Sequence, residues 1–348
     1  MAVTGIEGVC QGTGEPPTKD AFEAACAWST RQDGLAVLVM HQGKIVHERY
    51  SGGHKANTAH HLFSGTKSFA PIVALIAQSE GLLTLDEPVS RTITEWADDP
   101  QKKKITIRHL LSFTSGIDQK RAFAAADFYK QAIDAPMLSD AGKRFRYGSN
   151  HLRVFGELLE RKLAARTQGE ARGTKKGKGA KKARPPVDFV DYLQDRVLAP
   201  IGMKYGFWIR DRKNNPALSY GAFVTARDWA RFGQLILQKG KWGDEQVVPD
   251  ENLSECFVGS KANRQYGLNW WLVGPGLHRR NPAIPADTVA AKGMYHQLLY
   301  VIPSADLVIV RFGKVRSRAR FSDLTFLGTL LARPRKSEPE PVRRVKVL

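Results

Sequence analysis

The chain has 348 residues, 42% of them hydrophobic, and a formal net charge of +19. That length supports a large core or two lobes sharing one, and no run approaches the eighteen or so apolar residues of a membrane-crossing helix. Three widely spaced cysteines, Cys10, Cys26 and Cys256, argue against a disulfide framework and a cysteine metal site, and mildly favour a reducing compartment.

The positive charge would suit a nucleic-acid binder, but it is concentrated. Residues 161–184 carry +9 and residues 331–348 carry +4, leaving +6 on the rest. Both stretches are poor in apolar residues and read as solvated segments: a disordered basic insertion over 163–186 and a basic tail over 333–348. The other use for 161–184 is weak contact with a polyanion. "MAVTGIEGVCQGTGEPPTKD" lacks the basic start and apolar core of a secretory signal. A cytoplasmic protein is expected, with export or the periplasm as the alternative if translation starts upstream.

In chain order, "GLAVLVMHQGKIVHERY" (34–50) reads as two strands around a hairpin turn. "HLFSGTKSFAPIVALIAQSEGLL" (61–83) reads as a helix bent by Pro71, which removes the bond to the Lys67 carbonyl. "LLTLDEPVSRTITEWADD" is loop-rich, and 105–118 holds a short helix ending at Gly116. Helical spacing recurs at 151–166, at 187–203 and at 225–240. The final third turns to strands: "YGLNWWLV", "HQLLYVIPS" and "DLVIVRFG". Strands at both ends with helices between suggest a sheet completed by the two chain ends, with a helical lobe inserted.

Ser64 and Lys67 stand three residues apart, one turn along the same helix face. A lysine with the usual pKa of about 10.4 cannot accept a proton at neutral pH. Desolvation and the positive field of a helix start both favour a neutral amine, and that field also stabilises an alkoxide. Ser-x-x-Lys at a buried helix start therefore suits a nucleophile and its base; a capping serine with a solvated lysine is the bland alternative. The chain has no Gly-x-Ser-x-Gly elbow, no His-x-x-x-His helix and no Gly-x-Gly-x-x-Gly turn, so no metal and no organic cofactor is implied.

"FSGTKS" and "LTLDEPVS" are followed by "LSFTSGID", "FRYGSNHLRVFGELLE", "LAPIGMKYGFW", "TARDWARFGQLILQKGKWGDEQVVP" and "AAKGMYHQLLYVIPSADLVIVRFG". This ordered set, spanning about residues 30–330, resembles the serine beta-lactamase-related hydrolases. They include class C beta-lactamases, D-Ala-D-Ala carboxypeptidases, family VIII esterases and 6-aminohexanoate-dimer hydrolases, and the "GMYHQ" ending is nearest the last two. The resemblance implies an α/β (α+β) beta-lactamase/transpeptidase-like fold, an antiparallel sheet flanked by helices with an inserted helical lobe. It implies one domain over 20–335, with an α/β lobe at about 20–82 and 218–330 and a helical lobe at about 83–217.

By the same resemblance Ser64 is the nucleophile, Lys67 its proton partner and Tyr147 of "YGSN" the second proton carrier. Either Ser149 or Asn150 faces the substrate. In the third family motif, Lys-x-Gly on an edge strand, Lys292 directly precedes Gly293 and is one place off. Strand alternation would turn it to the opposite face, which weakens recognition of a substrate carboxylate. An oxyanion hole needs only backbone N–H groups, and those of Ser64 and Met294, just after Gly293, are the candidates. His296 reads as supporting structure. The expected function is a serine hydrolase for small-molecule esters or amides. A beta-lactamase or D-Ala-D-Ala carboxypeptidase is the alternative, and a non-catalytic protein tethered to polyanions by the basic loop is the rival of another class.

Overall fold

The computed structural model describes residues 15–120, 127–173 and 188–333. Helix α1 (Lys19–Arg31) starts where the Thr18 hydroxyl accepts the Ala21 N–H. It leads into strands β1 (Gly34–His41) and β2 (Lys44–Tyr50), joined by Gln42 and Gly43 at φ 49° and 73°, the left-handed pair that a tight hairpin needs. Strand β3 (His60–His61) precedes a 3₁₀ turn, Phe63–Ser68, and helix α2 (Phe69–Ser79). The middle of the chain supplies α3 (Ile107–Leu111), α4 (Phe128–Asp134), α5 (Asn150–Gly173) and α6 (Phe189–Leu193). Strands β4 (Phe207–Trp208) and β5 (Ala222–Val224) join β3 in a small sheet ordered β3-β5-β4.

Helix α7 (Ala226–Leu237) is followed by the small hairpin of β6 (Lys241–Trp242) and β7 (Glu245–Gln246). Helices α8 (Asp250–Leu253) and α9 (Gly274–Arg280) lead to β8 (Val289–Gly293), β9 (Gln297–Ile302), β10 (Leu307–Gly313) and α10 (Asp323–Leu330).

The main sheet is antiparallel with the order β2-β1-β10-β9-β8, so the first hairpin pairs with the last strand. Strands β1, β9 and β10 are covered on both faces, which is why they read as nearly continuous apolar runs, whereas the edge strand β2 is largely exposed. Val37, Val39, Tyr300 and Ile309 pack under α1 and α10, whereas Leu38, Leu299, Val308 and Val310 face α7 and the larger core around α2. At the closest approach of α7, a Cβ on Gly233 would lie 2.5 Å from Val308 and 2.8 Å from Leu299, so only glycine fits there.

Five elements depart from the sequence reading. Helix α3 ends at Leu111 rather than at Gly116, with Ser112 as its cap and Phe113 at φ 60° just beyond. Helix α1 was not foreseen, although Phe22, Ala25, Cys26 and Ser29 have helical spacing and are all buried. Pro71 does not bend a helix at Lys67. It occupies the first turn of α2, after the 3₁₀ segment, where a missing N–H costs little. "YGLNWWLV" is not a strand: Gly267 N–H donates to the Trp270 carbonyl and Asn269 takes φ 60°, so the segment doubles back with Tyr266 bridged to Trp271. Helix α5 runs on to Gly173, past the point where the basic insertion was expected to begin. The remaining residues of that insertion and of the basic tail lie outside the described residues, apart from Arg333.

Glu160 on α5 is held in an unusual state. Burial raises its pKa to about 8, with the nearby Asp188 and Glu157 charges adding to the shift and Tyr129 and Arg210 opposing it. A raised carboxyl pKa stabilises the fold at low pH, and that contribution is lost as pH climbs from the unfolded value near 4.3 through 8. Glu160→Gln should therefore flatten the pH dependence of stability. Between pH 5 and pH 8 the parent's melting temperature should fall by several degrees relative to the variant, read by thermal denaturation in matched buffers.

Candidate active site

Phe63 opens the 3₁₀ turn with φ 48°, a left-handed conformation that costs an aromatic residue energy and is held only by its surroundings. Its ring lies 3.8 Å from that of His61 and 5.3 Å from that of Tyr295. Ser64 comes next, in the first turn, where backbone N–H groups have no acceptor within the helix. Gly65 lets the turn sit on Trp229 of α7, since a Cβ there would be 2.8 Å from the indole. The nucleophile candidate is thus pinned between α7 and the end of β8.

Lys67 is 3% exposed. Its Nζ lies 2.9 Å from Ser64 Oγ and 2.7 Å from the Ser219 carbonyl oxygen, to which it donates. Nζ also lies 5.0 Å from the centroid of the Tyr147 ring. Tyr147 is partly exposed, and aromatic neighbours fix its ring: Trp271 stacks at 5.7 Å, and Phe113 and Tyr266 meet it edge-on at 5.4 and 6.0 Å. The backbone just before it is anchored too. Arg146 N–H donates to the Phe113 carbonyl, and His151 Nε2 donates to the Arg146 carbonyl at 2.9 Å. His151 Nδ1 then accepts from Ser115 Oγ at 2.9 Å. Burial, helped by the Lys67 charge and opposed by the Arg146 bond, lowers the His151 pKa to about 4.

Ser64, Lys67, Tyr147, Ser149 and Met294 line one cavity of about 310 Å³. Gly293 brings β8 against the 3₁₀ turn: a Cβ there would meet the Leu62 carbonyl oxygen at 2.0 Å. The next residue, Met294, lines the cavity together with Ser64.

Three sequence candidates lie elsewhere. Asn150 heads α5 and turns away from the cavity: its Nδ2 donates to the Asp118 carbonyl at 2.7 Å and its Oδ1 accepts from Arg153 at 3.1 Å. Lys292 points to the other face of the sheet and forms an ion pair of 3.0 Å with Asp323 of α10. His296 stacks on Phe321 at 5.1 Å while its carbonyl accepts from Arg311. Period-two alternation in β8 accounts for the placement of Lys292.

The sequence reading missed His61, Arg153, Ile209 and Tyr220, which complete the wall. His61 stacks on Phe223 at 4.4 Å, and its Nε2 donates to the Tyr220 carbonyl at 2.5 Å. Burial lowers its pKa against the opposing pull of that bond. None of these residues falls in a spaced motif; they meet only because β3 pairs with β5 and α5 packs beside them. Among the described residues no group of three or more His, Cys, Asp or Glu is placed to hold a metal ion, and no helix is long and apolar enough to cross a membrane.

A sheet backed by two helices, with a Ser-x-x-Lys turn against its edge strand and helices inserted between, is the beta-lactamase/transpeptidase-like fold. The family model described as Beta-lactamase matches residues 20–326, and the chain belongs to that family of serine hydrolases. An uncharacterized protein of Alkalihalophilus pseudofirmus is 23% identical over 80% of this chain and 83% of its own length. Two solved structures share the fold. A Bacillus anthracis protein assigned as a 6-aminohexanoate-dimer hydrolase has a TM-score of 0.64 and 19% identity, covering 86% of this chain and 78% of its own. EstCE1, described as a hydrolase with promiscuous acyltransferase activity, has a TM-score of 0.68 and 17% identity, covering 89% and 96%.

Two substitutions on adjacent residues should separate edge from backbone. Lys292→Met breaks a partly exposed ion pair contributing roughly 0–1 kcal/mol, so kcat/KM on a neutral ester should stay within about two-fold. Gly293→Ala forces a side chain into the Leu62 carbonyl and should cut kcat/KM by at least about ten-fold. Steady-state kinetics with melting temperatures on both proteins check this. A large loss in Lys292→Met would show the residue acting in the cavity.

Proposed function

We propose that the chain hydrolyses small esters or amides through an acyl-enzyme on Ser64. The observation that carries this reading is the buried Lys67 Nζ at 2.9 Å from Ser64 Oγ, the distance over which a serine proton passes to a neutral amine. As Oγ bonds to the substrate carbonyl carbon, its proton moves to Lys67. The negative charge on the former carbonyl oxygen is assigned to the backbone N–H groups of Ser64 and Met294, two residues that line the cavity. The bond from the carbonyl carbon to the leaving alcohol or amine then breaks as Tyr147 gives that group its proton and takes the one held by Lys67, which leaves the acyl group on Ser64. Water then attacks the acyl-serine with the same groups in reverse. Ser149 lines the cavity and is available to the substrate amide or ester oxygen. A non-catalytic binding protein would have no use for a lysine so placed.

Ser64→Ala should abolish covalent labelling by a fluorophosphonate while the far-ultraviolet circular dichroism stays unchanged. Lys67→Ala and Tyr147→Phe should each lower kcat by about 10³ or more on a 4-nitrophenyl ester. Persistent labelling of folded Ser64→Ala would move the nucleophile elsewhere.

Substrate class follows from the edge strand. The position two before Gly293 is Ala291, 2% exposed and packed in the core, and Lys292 is engaged with Asp323. No cation from β8 therefore reaches the cavity to hold the carboxylate beside a fused lactam ring. Short 4-nitrophenyl esters should be turned over at least about 100-fold faster, as kcat/KM, than the cephalosporin nitrocefin. Comparable turnover of nitrocefin would contradict this assignment.

A further inference from the structure

One charged side chain on the cavity wall has no role in the scheme above. Arg153 lies on α5, one turn beyond Asn150, and is 8% exposed. Its guanidinium stacks 4.4 Å above the Phe128 ring. Nη1 donates to Gln131 Oε1 and to Asn150 Oδ1, both at 3.1 Å. These acceptors are neutral, and they occupy one of the three guanidinium nitrogens. The Tyr220 hydroxyl is a further, uncharged hydrogen-bond partner of the guanidinium. Among the described residues no carboxylate stands in ion-pair contact with Arg153. The closest acid to act on it is Asp211, whose own oxygens accept from the Phe128 N–H at 2.6 Å and from Asn215 at 3.0 Å.

A cation this buried and without a counter-charge is costly. Several other arginines are paired with acids, Arg108 with Asp86 and Glu255, Arg161 with Glu95 and Glu157, Arg210 with Asp188, whereas the buried Arg311 is met by two carbonyls and a hydroxyl. Arg153 instead turns to the cavity that holds Ser64 and Lys67. Guanidinium offers five donors in a planar fork matched to a carboxylate, and a charge-assisted pair there would be shielded from water.

Building on the acyl-enzyme reading, we propose that Arg153 is a substrate-binding residue that receives a carboxylate carried on a flexible chain of the ester or amide. The preferred substrates are therefore anionic, and the anion is read from α5 rather than from the edge strand β8. Arg153 and Ser64 line the same cavity of about 310 Å³, so the proposal places the carbonyl at Ser64 and the carboxylate, on a short aliphatic arm, at Arg153.

The test compares 4-nitrophenyl hemiadipate with 4-nitrophenyl hexanoate, which differ chiefly in a terminal carboxylate. A second pair places the carboxylate on the leaving group, 4-carboxyphenyl butyrate against phenyl butyrate. In the parent enzyme at least one pair should favour the acid by about ten-fold or more in kcat/KM, expressed mainly in KM. In Arg153→Met that ratio should fall at least ten-fold, and Arg153→Lys should restore part of it.

Binding is read separately from catalysis. Millimolar adipate should raise the melting temperature of Ser64→Ala and leave that of Ser64→Ala/Arg153→Met unmoved. Neutral esters turned over as well as, or better than, their acids in both pairs would overturn the proposal while leaving the serine mechanism standing. So would an adipate shift that persists without Arg153. Adipate binding to Ser64→Ala without turnover of any ester would instead support the anion site and remove the hydrolase reading. Should Arg153→Met fail to fold, the parent's acid-to-neutral ratio decides alone.

Discussion

Everything in the site is arranged around one buried amine. Lys67 has almost no contact with solvent, and an amine in such a place needs hydrogen-bond partners inside the protein. Ser64 Oγ and the Ser219 carbonyl provide them, and each comes from a different part of the chain. Ser64 depends on a strained Phe63 and on Gly65 seated against Trp229. Ser219 precedes β5, which pairs with β3 directly before the 3₁₀ turn. The small three-stranded sheet thereby closes the lysine's surroundings and sets the register between nucleophile and wall.

The other half of the site is built from backbone. Tyr295 and His296 both take left-handed conformations, at φ 61° and 62°, and so turn β8 into β9 over three residues. Arg311 holds that turn from below. It is fully buried on β10, and its guanidinium donates to the carbonyls of His296 and Gln32 and to Ser29 Oγ. Burial lowers its pKa to about 10, which leaves it charged at neutral pH. Arg311 and Arg153 illustrate two uses of a buried guanidinium. One is surrounded by carbonyls and a hydroxyl and organises a turn; the other is held by neutral side chains on a cavity wall.

Much of this was legible in the sequence. The hairpin of β1 and β2, the paired strands at the C-terminal end, the helices α5 and α7 and the Ser-x-x-Lys turn all follow from periodicity and motif. So does the reversed orientation of Lys292, because strand alternation is a strict geometric rule. The mistakes have physical causes. The Trp270–Trp271 segment has strand-like composition, but Asn269 in a left-handed conformation turns it back, a tertiary choice that propensity does not reveal. Asn150 looked equivalent to Ser149 because both follow Tyr147; the start of α5 decides between them by using Asn150 for its own hydrogen bonds. His61, Arg153 and Tyr220 carry no local signal at all, since only long-range packing brings them to one cavity wall.

Helices α1 and α10 lie side by side on the outer face of the sheet, although nearly the whole sequence separates them. The sheet beneath them is likewise closed by β1 against β10. Ribosomal synthesis therefore delivers Ser64 and Lys67 long before it delivers Gly293, the residue that docks on Leu62 beside them. A chain interrupted before β8 holds Ser64 and Lys67 but not the strand that packs against their turn. The same adjacency makes the molecule suited to circular permutation: a short linker from α10 to α1 would let new ends be opened in an exposed loop, with every contact around Lys67 kept.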